Sequence, residues 1–191
     1  MTTNSRRRPR GLDGGFSLIE LLLVLGVGAT LLGMAAISVQ GFVTMSKADS
    51  AAYRVATTLR YGRDAAIAQR RTVDVVFVPP NQIQLVRNEI PNGATVISTV
   101  VFENAARFAL TAGLPDTPDR FGNASATDFD GVDVIRFAPD GTLTDGAGVP
   151  LNGTVFLTLP NQPLGARAVT ITGATARSQA YRWTGTRWEA I

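Results

Sequence analysis

The sequence predicts an α+β protein in which a long N-terminal helix is followed by an antiparallel β-sheet domain. Three observations indicate this fold class. No charged residue occurs from Leu21 to Ser46, no proline occurs from Arg10 to Val78, and after Thr72 β-branched residues alternate with other types. Because no proline interrupts it, one helix can run from the apolar stretch to about Arg71.

The composition excludes several classes of enzyme. The 191 residues include 18 Lys+Arg and 15 Asp+Glu, but no His and no Cys. Ser-His-Asp triads, cysteine nucleophiles, zinc sites built on His or Cys, and disulfides are therefore absent. The chain has one lysine, Lys47, and no evident pair of nucleophile and base. The sequence predicts a protein that is not an enzyme and uses no cofactor.

The uncharged run predicts a membrane segment. As a helix its 26 residues would be about 39 Å long, enough to cross the hydrocarbon core of a bilayer. Four arginines (Arg6, Arg7, Arg8 and Arg10) precede it, and the positive-inside rule then places the N-terminus in the cytoplasm. An ordinary secretory signal is the alternative, but its nearest cleavage motif, at Ala36, lies inside the apolar run.

An acidic residue lies at the start of this segment. The stretch Gly14–Glu20 reads Gly-Gly-Phe-Ser-Leu-Ile-Glu and leads directly into Leu-Leu-Leu-Val-Leu. A carboxylate at this depth is costly in lipid unless it has a partner. This segment resembles the prepilin leader of type IV pilins and type II secretion pseudopilins. The resemblance rests on the basic leader, the Gly-Phe pair, Glu20 and the apolar run together.

The resemblance assigns roles to three residues. It implies that a membrane prepilin peptidase cuts after Gly15 and that the new N-terminal residue, Phe16, is N-methylated. It also implies that Glu20 pairs with the N-terminal ammonium of a neighbouring subunit during filament assembly, which gives the buried acid a partner. The expected partners are other pilins or pseudopilins, the peptidase and the inner membrane.

The rest of the chain carries helix and strand patterns. An apolar stripe of small residues continues the helix, and seven segments beyond it alternate as strands do. The stripe comprises Ala48, Ala52, Val55, Leu59, Gly62 and Ala66. The predicted strands are 73–78, 82–87, 95–103, 132–138, 154–159, 168–172 and 179–184, and a polar surface loop is expected over 113–127.

Two stretches are similar to the GspH/FimT branch of minor pilins and pseudopilins, which refines the expected fold to a pilin-like one. They are the helix end from Leu59 to Arg71 and the segment Ile135–Gly141, which reads Ile-Arg-Phe-Ala-Pro-Asp-Gly. The cysteine pair of many major pilins is missing. Glu20 is present, whereas the large tip pseudopilin typically lacks that acid, which favours a minor subunit elsewhere in the filament.

Two further groups of residues have competing interpretations. Asp128, Asp130 and Asp133 are spaced as in a compact calcium loop, but an acidic turn leading into a strand is favoured. The C-terminal stretch interleaves arginines with aromatic residues, as nucleic-acid-binding surfaces do. Its arginines are Arg167, Arg177, Arg182 and Arg187.

The Gly-Arg-x-Arg pattern of DNA-binding FimT-like pilins is interrupted in this stretch, because Ala174 replaces its first arginine. A closing hairpin that pairs Trp183 with Trp188 is therefore the favoured interpretation of the C-terminus.

The sequence thus predicts four regions: a leader (1–15), a transmembrane helix (16–46), its amphipathic continuation (47–71) and an extracytoplasmic β-rich domain (72–191). The expected function is that of a minor structural subunit of a type II secretion pseudopilus or type IV pilus. It would cross the inner membrane once, keep its C-terminal domain in the periplasm and assemble through its N-terminal helix. Secreted cargo is a candidate partner. The alternative is a DNA-binding minor pilin of a competence pilus.

Overall fold

A computed structural model describes residues 17–103, 105–132 and 134–191, with the side chains of 35–41 and 163 left aside. The chain forms one long helix, a short 3-10 helix and eleven strands in these ranges. The elements are α1 Leu18–Gln69, β1 Val73–Val78, β2 Gln82–Asn88, β3 Ala94–Val101, β4 Arg107–Phe108, β5 Thr127–Asp128, β6 Ile135–Phe137, β7 Leu143–Thr144, β8 Gly153–Thr158, the 3-10 helix Pro163–Gly165, β9 Arg167–Thr172, β10 Arg177–Trp183 and β11 Trp188–Ala190. The predicted α+β fold, a long helix followed by antiparallel sheets as in pilins, is confirmed.

The chain separates into two compact units, one ending at Gly41 and the other comprising Phe42–Ile191. The first contains the described N-terminal part of α1. The second contains the remainder of α1 and all eleven strands.

Two antiparallel sheets form the β-domain. The first has the order β3-β2-β1-β6-β7, and the second has the order β11-β10-β9-β8-β4, with β5 also pairing with β8. A hydrogen bond also joins the two sheets: the Leu143 amide of the edge strand β7 donates to the carbonyl oxygen of Gly173, which follows the inner strand β9, at 2.8 Å. A cluster of phenylalanines adds to this junction: Phe77 of β1 lies 5.5 Å from the ring of Phe108 in β4.

The predicted apolar stripe of α1 faces this core. Ala52, Val55 and Ala66 are completely buried, and they pack in one cluster with residues of β1, β2 and β6. At Gly62 the helix approaches the first sheet closely, since an added Cβ would lie 3.1 Å from the Leu85 side chain and 3.2 Å from that of Phe137. The small residues of the stripe therefore set how closely the helix and the sheet pack.

The helix ends slightly before the predicted boundary at Arg71. Arg70 adopts a positive φ of 49°, and the amides of Arg70 and Arg71 donate to the carbonyl oxygens of Ile67 and Ala66. These two bonds form a Schellman-type cap, which usually requires glycine at the left-handed position. The left-handed residue ends the helix at Gln69 and turns the chain into β1.

Each of the seven predicted segments contains a strand, although several strands have shorter or shifted ends. The largest difference concerns residues 132–138: of those that the structure describes, only Ile135–Phe137 are paired, and Asp130 and Gly131 form a turn with positive φ shortly before them. Three strands of two residues, β4, β5 and β7, are not among the predicted segments, whereas β11 is the second strand of the predicted closing hairpin. Strands this short contain too few residues for a period-two pattern to be visible.

Candidate functional site

The N-terminal part of α1 has an apolar surface exposed on all sides. The side chains of Leu18, Ile19 and each residue from Leu21 to Leu25 are more than half exposed. Glu20 lies in the first turn of the helix and is also exposed. An acid in the first turn interacts favourably with the free amides there. The predicted cleavage and methylation residues, Gly15 and Phe16, lie outside the described residues.

Within the parts of the chain that the structure describes, no helix combines the length and apolar character of a membrane span. The transmembrane segment expected over residues 16–46 stays a prediction.

The second feature is a buried arginine at the start of β9. The Arg167 side chain has no exposed surface, and its Nε donates to an Asp49 carboxylate oxygen on α1 at 2.6 Å. One terminal nitrogen donates to the carbonyl oxygens of Leu164 and Ala166, both at 2.9 Å, and the other donates to that of Met45 at 3.3 Å. These bonds connect the helix to the second sheet.

Asp49 holds two arginines together. Arg182 lies directly opposite Arg167 in the pairing of β9 with β10, and its guanidinium is 3.6 Å from the second Asp49 oxygen. Burial lowers the pKa of Arg167 below its usual value, and the hydrogen bond that Arg167 donates to Asp49 opposes this effect. Two like charges in a direct cross-strand pair repel each other. Asp49 therefore compensates both the burial of Arg167 and its repulsion from Arg182.

The predicted C-terminal hairpin is present. Trp183 of β10 pairs directly with Trp188 of β11, and their ring centroids are 5.4 Å apart in an edge-to-face arrangement. The Trp188 indole N–H donates to the Pro115 carbonyl oxygen at 2.9 Å, which ties the loop over 113–127 to the sheet. The aromatic residues of this stretch thus pack within the domain rather than forming an open stacking surface.

The other candidate DNA-contacting arginines lie in two different settings. Arg187 is largely exposed and bonds to Glu189 at 2.8 Å. Arg177 is exposed at the beginning of β10, and it has no ion pair with any carboxylate of the described residues. The structure therefore brings Arg167 and Arg182 together around Asp49 and leaves Arg177 and Arg187 outside that group.

A polar cavity of about 180 Å³ lies beside Arg177 on β9 and β10, and Asp119 of the loop contributes to it. One Asp119 oxygen accepts hydrogen bonds from the Thr170 hydroxyl at 2.6 Å and from the Tyr181 hydroxyl at 2.9 Å. Burial and the nearby Asp119 charge raise the pKa of Tyr181 to about 12. The loop, expected to be a surface segment, thus supplies an exposed carboxylate that accepts hydrogen bonds from two hydroxyls of the second sheet.

The raised pKa of Tyr181 predicts a loss of stability in alkali. Between pH 10.0 and about 12 the folded state keeps the phenol proton and the unfolded state releases it, so the free energy of unfolding falls across this window. We expect Tyr181→Phe to make the decrease shallower. Urea unfolding of the full chain in detergent, repeated across this window, measures it. Tyr53→Phe, a change at a half-exposed tyrosine, is the control, and equal slopes for the parent chain and Tyr181→Phe would contradict the assignment.

The calcium candidates do not form a site among the described residues. Asp128 is buried and accepts a hydrogen bond from the Ala124 amide at 2.6 Å, while Phe129 points into the core. No group of three or more acidic side chains that could hold a metal ion occurs in the described ranges. The third candidate, Asp133, lies outside the described residues. The favoured interpretation, a turn leading into β6, agrees with the backbone of Asp130 and Gly131.

Asp49 is not among the candidate residues predicted from the sequence, because it lies outside the apolar stripe of α1. A signal existed, since Asp49 is the only acidic residue between Leu21 and Arg63 and lies beside the buried positions 48 and 52. Its partner could not be identified from the sequence, because Arg167 is 118 residues away.

The comparison with protein families matches residues 51–181 to the family described as type II transport protein GspH. This match covers the end of α1, the first sheet, the buried arginine and the second sheet up to Tyr181 in β10, and it extends over more than half of the chain. The chain belongs to the GspH family. Members of this family are structural subunits and not enzymes, which agrees with the absence of a catalytic set predicted from composition.

Solved structures with a similar chain path include two proteins of pilus and secretion systems. One is the type IV minor pilin FimU of Pseudomonas aeruginosa, with a TM-score of 0.49 and 16% identity over 78% of this chain and 96% of that chain. Another is the minor pseudopilin EpsH from the Type 2 Secretion System of Vibrio cholerae, with a TM-score of 0.47 and 11% identity over 71% of this chain and 97% of that one. No curated protein sequence matches this GspH-family chain.

Proposed function

We propose that this GspH-family chain is a minor subunit of a type II secretion pseudopilus or a type IV pilus and that it assembles through the N-terminal part of α1. The observation that carries the proposal is the exposed apolar surface of residues 18–25 with a single carboxylate, Glu20, near its start. A helix that is apolar all round requires cover from lipid or from other helices. The family description, a type II transport protein, favours the pseudopilus.

The proposal includes the maturation and the membrane anchor expected from the leader. Cleavage after Gly15 and methylation of Phe16 create a new N-terminus four residues before Glu20. The anchor over residues 16–46 holds the subunit in the inner membrane until it is incorporated, with the β-domain in the periplasm. In the assembled filament the Glu20 carboxylate of one subunit pairs with the Phe16 ammonium of the next, so that each buried charge is compensated.

Glu20→Gln tests this assembly mechanism. We expect the variant to enter sheared filament fractions at least about tenfold less than the parent chain, because removing one partner of a buried ion pair leaves the other uncompensated. The measurement is immunoblotting of these fractions from cells that produce the complete set of subunits. Asp64→Asn, which neutralises an exposed acid elsewhere on α1, is the matched control and should be incorporated normally.

Intact mass measurements on the same membranes separate assembly from processing. Both variants should have the mass of a chain that begins at Phe16, with or without one methyl group. If Glu20→Gln were incorporated as well as Asp64→Asn, the proposed pairing would be wrong. A parent chain that retains its arginine-rich leader in the presence of the peptidase, or is cut near Ala36, would refute the maturation.

The alternative, a DNA receptor of a competence pilus, has less support from the geometry. Arg167 is buried, and Arg182 and Arg187 each lie within ion-pair distance of a carboxylate. Arg177 alone of the four candidates lacks such a partner among the described residues. Binding to duplex DNA near physiological salt depends on several free cations that neutralise phosphates. We therefore rank the structural subunit first.

A further inference from the structure

A groove runs between the exposed side of α1 and strand β3 in the β-domain. It consists of two cavities of about 390 Å³ each, and both are lined in part by Tyr53 and Arg54. One cavity also contacts Ser98 and Val100 of β3, and the other contacts Phe102 and Glu103, which follow that strand. The α1–β3 groove, as we name these two cavities, therefore follows the second half of β3 and continues past its end.

One side of the groove is a sheet edge. β3 is the terminal strand of the first sheet and pairs only with β2 in the structure as described. The register between the two strands shifts between Leu85 and Val86, which leaves Ile97 without a partner and separates the segment Ser98–Val101 from the first half of the strand. The eight residues of β3 include no charged residue and no proline, the features that usually protect an edge from pairing with another chain.

The other side of the groove combines aromatic rings with positive charge. Tyr53 and Tyr61, two helical turns apart on α1, are each about half exposed. Lys47, which lines one cavity, and Arg54, which lines both, have no ion pair with a carboxylate of the described residues. Glu103 is the one acid among the residues that line the two cavities. The lining thus carries one net positive charge, and two cations are available to a ligand.

We propose that the α1–β3 groove binds an extended acidic segment of another polypeptide, which adds a strand to the free edge of β3. The main-chain groups of Ser98–Val101 would supply backbone hydrogen bonds, Tyr53 and Tyr61 would cover apolar side chains of the added strand, and Lys47 with Arg54 would bind its acidic side chain. A helical partner would leave the amides and carbonyls of the strand edge unpaired. This binding site does not depend on the filament assembly proposed above.

A designed peptide tests the proposal on the full chain in detergent. The probe is a fluorescein-labelled extended peptide of alternating valine and threonine, about six residues long to cover Ser98–Val101, with one aspartate near an end. Fluorescence anisotropy should give a dissociation constant in the micromolar range. Two matched peptides serve as controls. The first carries lysine in place of aspartate and loses the ion pair, and the second carries N-methyl groups on alternate amides and loses backbone hydrogen bonds. Each should bind at least about tenfold more weakly than the aspartate peptide.

Charge-swapped variants identify where the peptide binds. Arg54→Glu should weaken the binding of the aspartate peptide at least about tenfold and strengthen the binding of the lysine peptide, because the charge of residue 54 in the groove is reversed. Arg60→Glu is the matched control, since Arg60 is exposed on the same helix but lines neither cavity. The affinity of this variant for the aspartate peptide should stay within about twofold of the parent value. The proposal would be overturned by an aspartate peptide that does not bind at millimolar concentration, by equal binding of the N-methylated peptide, or by equal effects of the two substitutions.

Discussion

Asp49→Ala is expected to lower the free energy of unfolding by about 3 kcal/mol, although Asp49 lies outside the apolar stripe of α1. The substitution leaves the guanidinium of Arg167 buried without a counterion and directly opposite Arg182. Losing one partner of a buried ion pair typically costs about 3–5 kcal/mol, and we use the lower end because the Asp49 side chain is 24% exposed. Urea unfolding of the full chain in detergent, followed by tryptophan fluorescence, gives this value.

A double variant distinguishes the buried charge from a simple loss of contacts. Asp49→Ala combined with Arg167→Met removes both charges and keeps an apolar chain of similar length in the buried position. We expect the double variant to be more stable than Asp49→Ala alone, because no unpaired charge remains buried; Arg182, which also loses Asp49, is partly exposed. Glu189→Ala, which breaks the exposed pair with Arg187, is the control and should cost less than about 1 kcal/mol. If Asp49→Ala were as mild as Glu189→Ala, the role assigned to the buried pair would be wrong.

Gly173→Ala should destabilise the β-domain by a similar amount, about 3 kcal/mol. An added Cβ would meet the backbone of Leu151, with its carbonyl oxygen at 2.6 Å and its amide nitrogen closer still. Neither segment can move away easily, since the Gly173 amide bonds to the Asn152 side chain and the Leu151 amide bonds to the Leu143 carbonyl. Overpacking against backbone costs about 1–3 kcal/mol or more.

The matched control is Gly146→Ala, at a position where an added Cβ has no neighbour within 4 Å. That substitution should leave the free energy of unfolding unchanged or raise it by up to about 1 kcal/mol, because it restricts the unfolded chain. The same urea titrations measure both variants. A Gly173→Ala chain as stable as Gly146→Ala would show that the Leu151 backbone does not approach Gly173 as closely as described.

Short-range patterns determined much of this protein. The stripe from Ala48 to Ala66 fixed the buried face of α1, because side chains three and four residues apart lie on the same side of a helix. Alternation and turn residues located the longer strands. The Trp183–Trp188 pair could be predicted because its two strands are joined by a short turn, so that local sequence alone sets their register.

The tertiary structure decided which charged residues are buried and which strand edge stays free. Arg167 belonged to a stretch whose arginines were weighed as DNA contacts, and only the packing of β9 against α1 places its guanidinium on Asp49. Gly173 lies in the interrupted Gly-Arg-x-Arg segment, and only the close approach of the Leu151 backbone, between β7 and β8, shows why a side chain cannot be accommodated there. The free edge of β3 likewise follows from the strand order, which no local pattern encodes. Each of these features depends on contacts between segments far apart in sequence, whose geometry is set by the packing of the whole core.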